Sequence, residues 1–259
     1  LQTFFTERGF WEVETPLLSA EVVVDRHLEP LRAELDDRHA WLQTSPEAHM
    51  KRLMAVGAEA IFQVTRSFRG GERGKLHNAE FTIVEWYRRS DTMDDGMQLL
   101  SELCEALLKC GPAERISYRE AFLQYAEIDP LTAEVSQLAG LAAAAGVAAP
   151  AGLGDDRQAW LDLLLVDLVE PNLGRKRPTI MYDWPASEAA LAQVREDDPP
   201  VAERFELYVD GVEVANGFHE LTDAAELRRR SAEANQARRD DGKRPLPEPK
   251  RLLAAMEHG

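Results

Sequence analysis

The stretch RSFRGGERGKLHNAEFTIVEWYR, residues 66–88, decides how the rest of the chain is read. It reads as strand, loop, strand. Ile61 to Arg69 is rich in β-forming residues, and Glu80 to Arg88 carries Phe, Thr, Ile, Val, Trp and Tyr. Gly70, Gly71 and Gly74 lie between them, so the loop can hold backbone conformations that other residues resist. Charge is denser here than a plain hairpin needs, with Arg66, Arg69, Arg73, Lys75, His77, Glu80 and Glu85 all in the stretch. Period-two alternation sends Phe81, Ile83, Glu85 and Tyr87 to one face, and Glu80, Thr82, Val84 and Trp86 to the other. A carboxylate set among aromatics must find a cation or hydrogen-bond donors, because burying it alone is costly. Two readings satisfy that demand. One is a structural salt-bridge network. The other is a floor that receives an anion on Arg69 and a ligand ammonium on Glu85.

The surrounding chain bounds the choice. Its 259 residues suffice for one large domain or two small ones, and a hydrophobic content of 44% suits a soluble globular protein. No apolar run approaches a membrane span and no signal peptide opens the chain, so we expect a cytoplasmic protein with no membrane partner. The net charge of -16 repels phosphate backbones at long range and argues against a general nucleic-acid binder. Cys104 and Cys110 have no zinc-type company and read as reduced thiols.

Outward from the central stretch, GFWEVETPLL (residues 9–18) reads as an extended segment broken by Pro16. In LQTSPEAHMKRLM (residues 42–54), Ser45 is placed as an N-cap, Pro46 at the first helical position and Glu47 in the first turn. Glu47 there either complements the helix dipole or contacts a ligand. Thr92 and Asp95 form a capping box for an apolar helix ending near Lys109. Asp156 to Glu170 reads as an apolar helix. The Arg175-Lys176-Arg177 triplet is either a solvated loop or the place where an acidic partner is met. Arg204 to Val209, Asp210-Gly211 and Val212 to Phe218 read as a hairpin with a type I′ turn. Glu213 and Glu220 are seven residues apart and would face opposite sides of a regular strand; a bulge at Asn216-Gly217 turns both to one side. Two such carboxylates share a proton or hold a cation, and a hard divalent ion such as Mg2+ with phosphate oxygens fits them. Asp223 caps a further helix, with Glu226 completing a box and Arg228, Arg229, Arg230 and Arg238 solvated.

These stretches, with EPNLGRKRPTIMYDWPAS (residues 170–187) and ERFELYVDGVEVANGFHELTD (residues 203–223), resemble the class II aminoacyl-tRNA synthetases of the lysyl subgroup. Within that group the likeness is closer to the synthetase-like ligases that attach (R)-β-lysine to elongation factor P. The resemblance covers nearly the whole chain. It implies an α+β fold, an antiparallel β-sheet flanked by helices, in one catalytic domain over residues 1–259 with a helical insertion over 113–200. It places strands Phe62–Arg69, Glu80–Arg88 and Val212–Phe218 in one sheet, and the Pro16 segment at the interface of a homodimer.

The implied chemistry has two steps. A carboxylate attacks the α-phosphorus of ATP, giving an acyl-adenylate and pyrophosphate; an amine or hydroxyl then takes the acyl group. Arg69 would hold the α-phosphate and the substrate carboxylate. Phe81 would stack on adenine, with Gly70, Gly71, Glu72, His77, Asn78 and Val214 on the nucleotide side. Glu213 and Glu220 would carry Mg2+. Ser45, Pro46, Glu47, Glu85, Tyr87, Asn216 and Glu220 would bind lysine or β-lysine. Some features depart from the pattern. Gly70-Gly71 replaces an Asn-Glu pair of some relatives, with Glu72 as the substitute. Ala189-Ala190-Leu191 stands where lysyl-tRNA synthetases tend to have Ser-Pro-Leu, and Ser45 where many have Ala. The first favours a protein acceptor, elongation factor P, over tRNA, and the second favours a substrate with a shifted amino group. Motif 3, a Gly-rich strand with an Arg over the ATP, is absent before Gly259, and both ends read as cut.

Overall fold

The computed structural model describes residues 1–36 and 38–258. The chain forms two compact units. The first comprises residues 1–90 and 222–259, the second residues 91–221.

In the first unit, β1 (Trp11–Glu12) runs parallel to β5 (Ala60–Phe68), which pairs antiparallel with β6 (Glu80–Arg88). A second small sheet is ordered β2 (Leu18–Ser19), β4 (Arg38–Leu42), β3 (Arg32–Leu35). The β5–β6 register pairs Ser67 with Phe81, Thr65 with Ile83, Gln63 with Glu85 and Ile61 with Tyr87. Directly opposed residues share a face, so this face is largely polar. The other face carries Phe62 and Trp86. The Gln2–Thr6 helix covers it: Phe5 stacks on Phe62 with centroids 4.7 Å apart and lies 5.3 Å from Trp86. The hairpin thus has an apolar side that anchors it and a polar side left for chemistry. The Glu47–Ala55 helix packs against Lys250–His258, the last helix of the unit.

The second unit holds a five-stranded sheet. Its main path is β11 (Val212–Phe218), β10 (Val201–Val209), β8 (Thr179–Pro185), β7 (Glu114–Ser117), with β9 (Val194–Arg195) on β10. All pairs are antiparallel except β7–β8. Helices Tyr118–Tyr125, Val135–Ala145 and Arg157–Leu164 contribute to a core containing Tyr118, Phe122, Leu138, Leu161, Leu164 and Trp184. The 113–200 segment therefore supplies strands β7, β8 and β9 as well as helices.

Several local expectations need correction. Val212–Phe218 does not join the sheet of Phe62–Arg69 and Glu80–Arg88; it hydrogen-bonds to β10. The Asp156–Glu170 segment is α-helical only over Arg157–Leu164; it then widens to a π-turn at Leu165–Val169 and tightens to a 3₁₀ turn at Glu170–Asn172. Pro46 is the residue before the Glu47–Ala55 helix rather than its first member, although Ser45 Oγ still accepts the Glu47 N–H at 3.1 Å. The Thr92–Asp95 capping box forms as expected. Asp223 caps its helix through the Ala225 and Glu226 N–H groups, but the Glu226 carboxylate binds Arg229 and Arg230. Those guanidiniums pull its pKa down to about 2. Arg238 is not solvated: its side chain is 0% exposed.

Candidate active site

The polar face of β5–β6 carries Phe81, Glu85 and Tyr87, with Arg69 at its loop end. Arg69 closes the neck of the loop by donating its N–H to Ala79 O at 2.9 Å. Its guanidinium lies 5.0 Å from the Phe81 ring centroid and reaches Thr44 O at 3.4 Å. Thr44 precedes the Ser45-Pro46-Glu47 turn, and Gln43 ties the same segment to β5: Nε2 donates to Arg66 O at 2.7 Å and Gln43 O accepts the Phe68 N–H at 2.9 Å. Further along the face, the Tyr87 hydroxyl donates to Glu85 Oε1 at 2.8 Å. Glu47 is bound by Lys51 at 2.7 Å, so its carboxylate is already shared with a cation one helical turn away. Ser67 Oγ and Gln43 Oε1 are buried here without a partner among the described residues. Gly71, His77 and Asn78 lie exposed in the loop, with Glu72 half-buried.

In the second unit the site is built on a bulge. Leu207 pairs with Ala215, yet Tyr208 pairs with Glu213, so Val214 is an extra residue in β11. The bulge falls at Val214 and not at Asn216-Gly217. Glu213 shares the face of Tyr208, Asn216 that of Glu206 and Phe218 that of Arg204, which is one and the same face. Glu220 lies past the end of β11, in an isolated antiparallel bridge with Ala192. There its backbone carbonyl accepts from Gln193 Nε2 at 3.1 Å. The turn that starts β11 has φ of 54° at Asp210 and 77° at Gly211, as a type I′ turn needs.

Beneath this face lies a network that sequence reasoning missed. Arg204 donates to Glu206 Oε1 at 2.5 Å, to Glu188 O at 2.9 Å and to Asn216 Oδ1 at 3.4 Å. It also lies 4.1 Å from the Trp184 ring centroid. The Tyr208 hydroxyl bonds Glu206 Oε2 at 2.5 Å and Glu170 Oε1 at 3.2 Å. Glu206 is only 3% exposed. The one signal in the sequence is the alternation of charged Arg204 and Glu206 with apolar Phe205 and Leu207, which places two charges on a face that proves to be interior.

Glu188 registers that interior most clearly. Burial first, then repulsion from Asp162, raises its pKa from 4.5 to about 7, against the pull of Arg204. The folded state thus binds the Glu188 proton more tightly than the unfolded chain does. The resulting stabilisation is complete below pH 4.5 and is lost as pH rises through 7, a change on the order of 3 kcal/mol. Glu188→Gln removes this dependence. Urea titrations from about pH 5 to 8 should show the variant gaining on the parent as pH rises; a constant difference would mean that Glu188 is ionised throughout.

Glu213 on β11 and Glu220 just past its end, without a cluster of three metal-ligating side chains among the described residues, suit a divalent ion that takes its remaining oxygens from phosphate and water. Arginine over an aromatic ring suits a phosphate beside a stacked base. The whole chain, residues 1–259, matches the tRNA synthetases class II (D, K and N), and it belongs to that family. At 44% identity over 265 residues, covering 100% of this chain and 82% of the relative, it is similar to the elongation factor P–(R)-β-lysine ligase of Edwardsiella ictaluri (strain 93-146). No helix among the described residues is long and apolar enough to cross a membrane.

Proposed function

We propose that this protein is an ATP-dependent ligase that activates (R)-β-lysine, or lysine, as an aminoacyl-adenylate and transfers it to a lysine side chain of elongation factor P. The observation that carries this is the 44% identity to such a ligase along the entire chain. Class II synthetase-like enzymes use ATP and typically Mg2+, and the polar faces of the two units hold residues suited to both.

Arg69 binds the α-phosphate and the substrate carboxylate, and Phe81 takes the adenine in place of the guanidinium it now faces. Gly70, Gly71, Glu72, His77, Asn78 and Val214 border the nucleotide. The substrate's ammonium groups are received by Glu47 and Glu85 on the first unit, with Ser45, Pro46 and Tyr87 shaping its pocket; Asn216 and Glu220 are the substrate-binding candidates of the second unit. Glu213 and Glu220 would hold Mg2+, whose positive charge would offset that of the departing pyrophosphate. This chemistry needs positioning and charge neutralisation more than a strong base. The substrate carboxylate attacks the α-phosphorus and pyrophosphate leaves. The acceptor amine then attacks the acyl carbon, AMP leaves, and the amine proton passes to solvent or to the released phosphate. The Pro16 segment lies at a twofold interface in a cytoplasmic homodimer.

The deciding assay offers the full-length enzyme ATP with β-lysine or α-lysine, and either elongation factor P or lysine tRNA. A mass increase on the factor, greater with β-lysine, is the expected result. Efficient charging of tRNA with α-lysine and no mass added to the factor would assign the protein to tRNA aminoacylation instead.

A further inference from the structure

Arg238 lies near the C-terminal end of the Ala224–Asp240 helix, among residues whose sequence reads as a solvated basic run. Its complete burial requires an explanation, because an arginine keeps its charge and brings five N–H donors that must be satisfied. Four hydrogen bonds supply one. Nε donates to Arg244 O at 2.9 Å, Nη1 to Asp25 O at 3.0 Å and Leu28 O at 2.8 Å, and Nη2 to Glu29 Oε2 at 2.6 Å. Three of the four acceptors are backbone carbonyls. The guanidinium therefore fixes the path of the chain through residues 25–29 and 244, and an apolar side chain of the same volume could not.

That path ends at the loop carrying Arg69. Glu29 O accepts the Gly70 N–H at 2.7 Å. The approach is close enough that a Cβ on Gly70 would lie 3.1 Å from Leu31 Cδ2 and 3.2 Å from Glu29 O. A cavity of about 560 Å³ opens at this junction, lined by Glu29, Gly70, Gly71, Glu72, Lys243 and Arg244 together with His27. Its walls are the segments that Arg238 ties and the loop that Glu29 holds.

We propose that Arg238 is a positioning residue for adenylate formation. By fixing residues 25–29 it sets Glu29 O, and through the Glu29–Gly70 bond it holds the Arg69–Glu72 end of the nucleotide loop in register. The inference rests on the role proposed above for Arg69. Its test therefore includes a structural readout that does not depend on activity.

The full-length protein is compared with Arg238→Met, Arg238→Lys and Gly70→Ala, with Glu233→Gln on the same helix as a control. Hydrogen exchange of the peptide covering residues 66–79, without ATP, is the first measurement. ATP–pyrophosphate exchange, resolved into kcat and the KM for lysine, is the second. Arg238→Met should raise amide exchange in 66–79 at least tenfold while peptides of β10 and β11 stay protected. It should lower kcat at least tenfold with little change in the lysine KM, and Arg238→Lys should recover part of both losses. Gly70→Ala perturbs the same bond from its other end and should lower kcat similarly, with the double variant Arg238→Met/Gly70→Ala no worse than the poorer single. Glu233→Gln should match the parent. If Arg238→Met does not fold, the lysine and Gly70 variants still decide the matter. Unchanged exchange at 66–79 in a folded Arg238 variant, or fully additive losses of kcat, would overturn the positioning role. Lost protection with full activity would overturn the reading of Arg69.

Discussion

Glu213→Gln, made in the full-length protein, is expected to slow ATP–pyrophosphate exchange by about 2–4 kcal/mol of barrier, or roughly 30- to 1,000-fold. Glutamine keeps the size and the hydrogen-bonding oxygen of the side chain and removes only its charge. The strand should be undisturbed, since Glu213 is exposed and its backbone pairs with Tyr208 whatever the side chain is. The loss falls on the chemical step because negative charge accumulates there on the leaving pyrophosphate. On the proposed role, a divalent ion would be held by one carboxylate in place of two, and so would be weaker bound and less well placed. Raising Mg2+ should therefore recover part of the rate. An exchange rate equal to the parent's at every Mg2+ concentration would make Glu213 and Glu220 a structural pair.

The arrangement behind that prediction shows what a sequence can and cannot disclose. Two glutamates seven residues apart require a change of parity, and that much is legible. Where the extra residue sits is not. The bulge occupies Val214 because β10 opposes Leu207 to Ala215 and Tyr208 to Glu213, a register that depends on a strand pairing absent from the sequence of β11. The β5–β6 hairpin was legible for the opposite reason. Its two strands are local to each other, their alternation is regular, and Phe81, Glu85 and Tyr87 share a face as period two dictates. The Thr92 capping box was legible because all its atoms lie within four residues.

Arg238 illustrates the limit. Gln236, Arg239 and Asp240 around it are polar or charged, and local composition reads as solvent-facing. Its partners Asp25, Leu28 and Glu29 are more than 200 residues away in the chain. The Arg204–Glu206–Tyr208 network was hidden likewise, because its outer members Glu170 and Glu188 reach it only through folding. The basic triplet is partly accounted for within the fold. Arg177 pairs with Glu114 at 2.9 Å and Arg175 Nε donates to Pro171 O at 2.5 Å, so two of its three cations serve intramolecular contacts.

Gly174→Ala is expected to destabilise the second unit by about 3–5 kcal/mol. Gly174 has φ of +68°, and a Cβ there would lie 2.4 Å from Tyr208 O, 2.7 Å from Tyr208 C and 2.8 Å from Val209 Cα. All three are backbone atoms of β10, which cannot swing aside as a side chain can. The same segment holds the β10–β11 turn: Gly174 O accepts the Asp210 N–H at 3.0 Å and Leu173 O accepts the Gly211 N–H at 2.8 Å. Relief of the overlap must move the segment away from the turn and weaken both bonds, at about 1 kcal/mol each. Tyr208, fully buried and bonded to Glu206, moves with it. Gly146 provides the comparison. Its φ is +72°, but nothing lies within 4 Å of a Cβ there, so Gly146→Ala should cost only the conformational penalty of about 1–2 kcal/mol. Urea denaturation of the two variants separates steric seat from backbone angle. Equal losses would mean that the close approach to β10 relaxes freely. The larger loss at Gly174 should be accompanied by slower ATP–pyrophosphate exchange even where the protein remains folded, because the turn it supports starts the strand that carries Glu213.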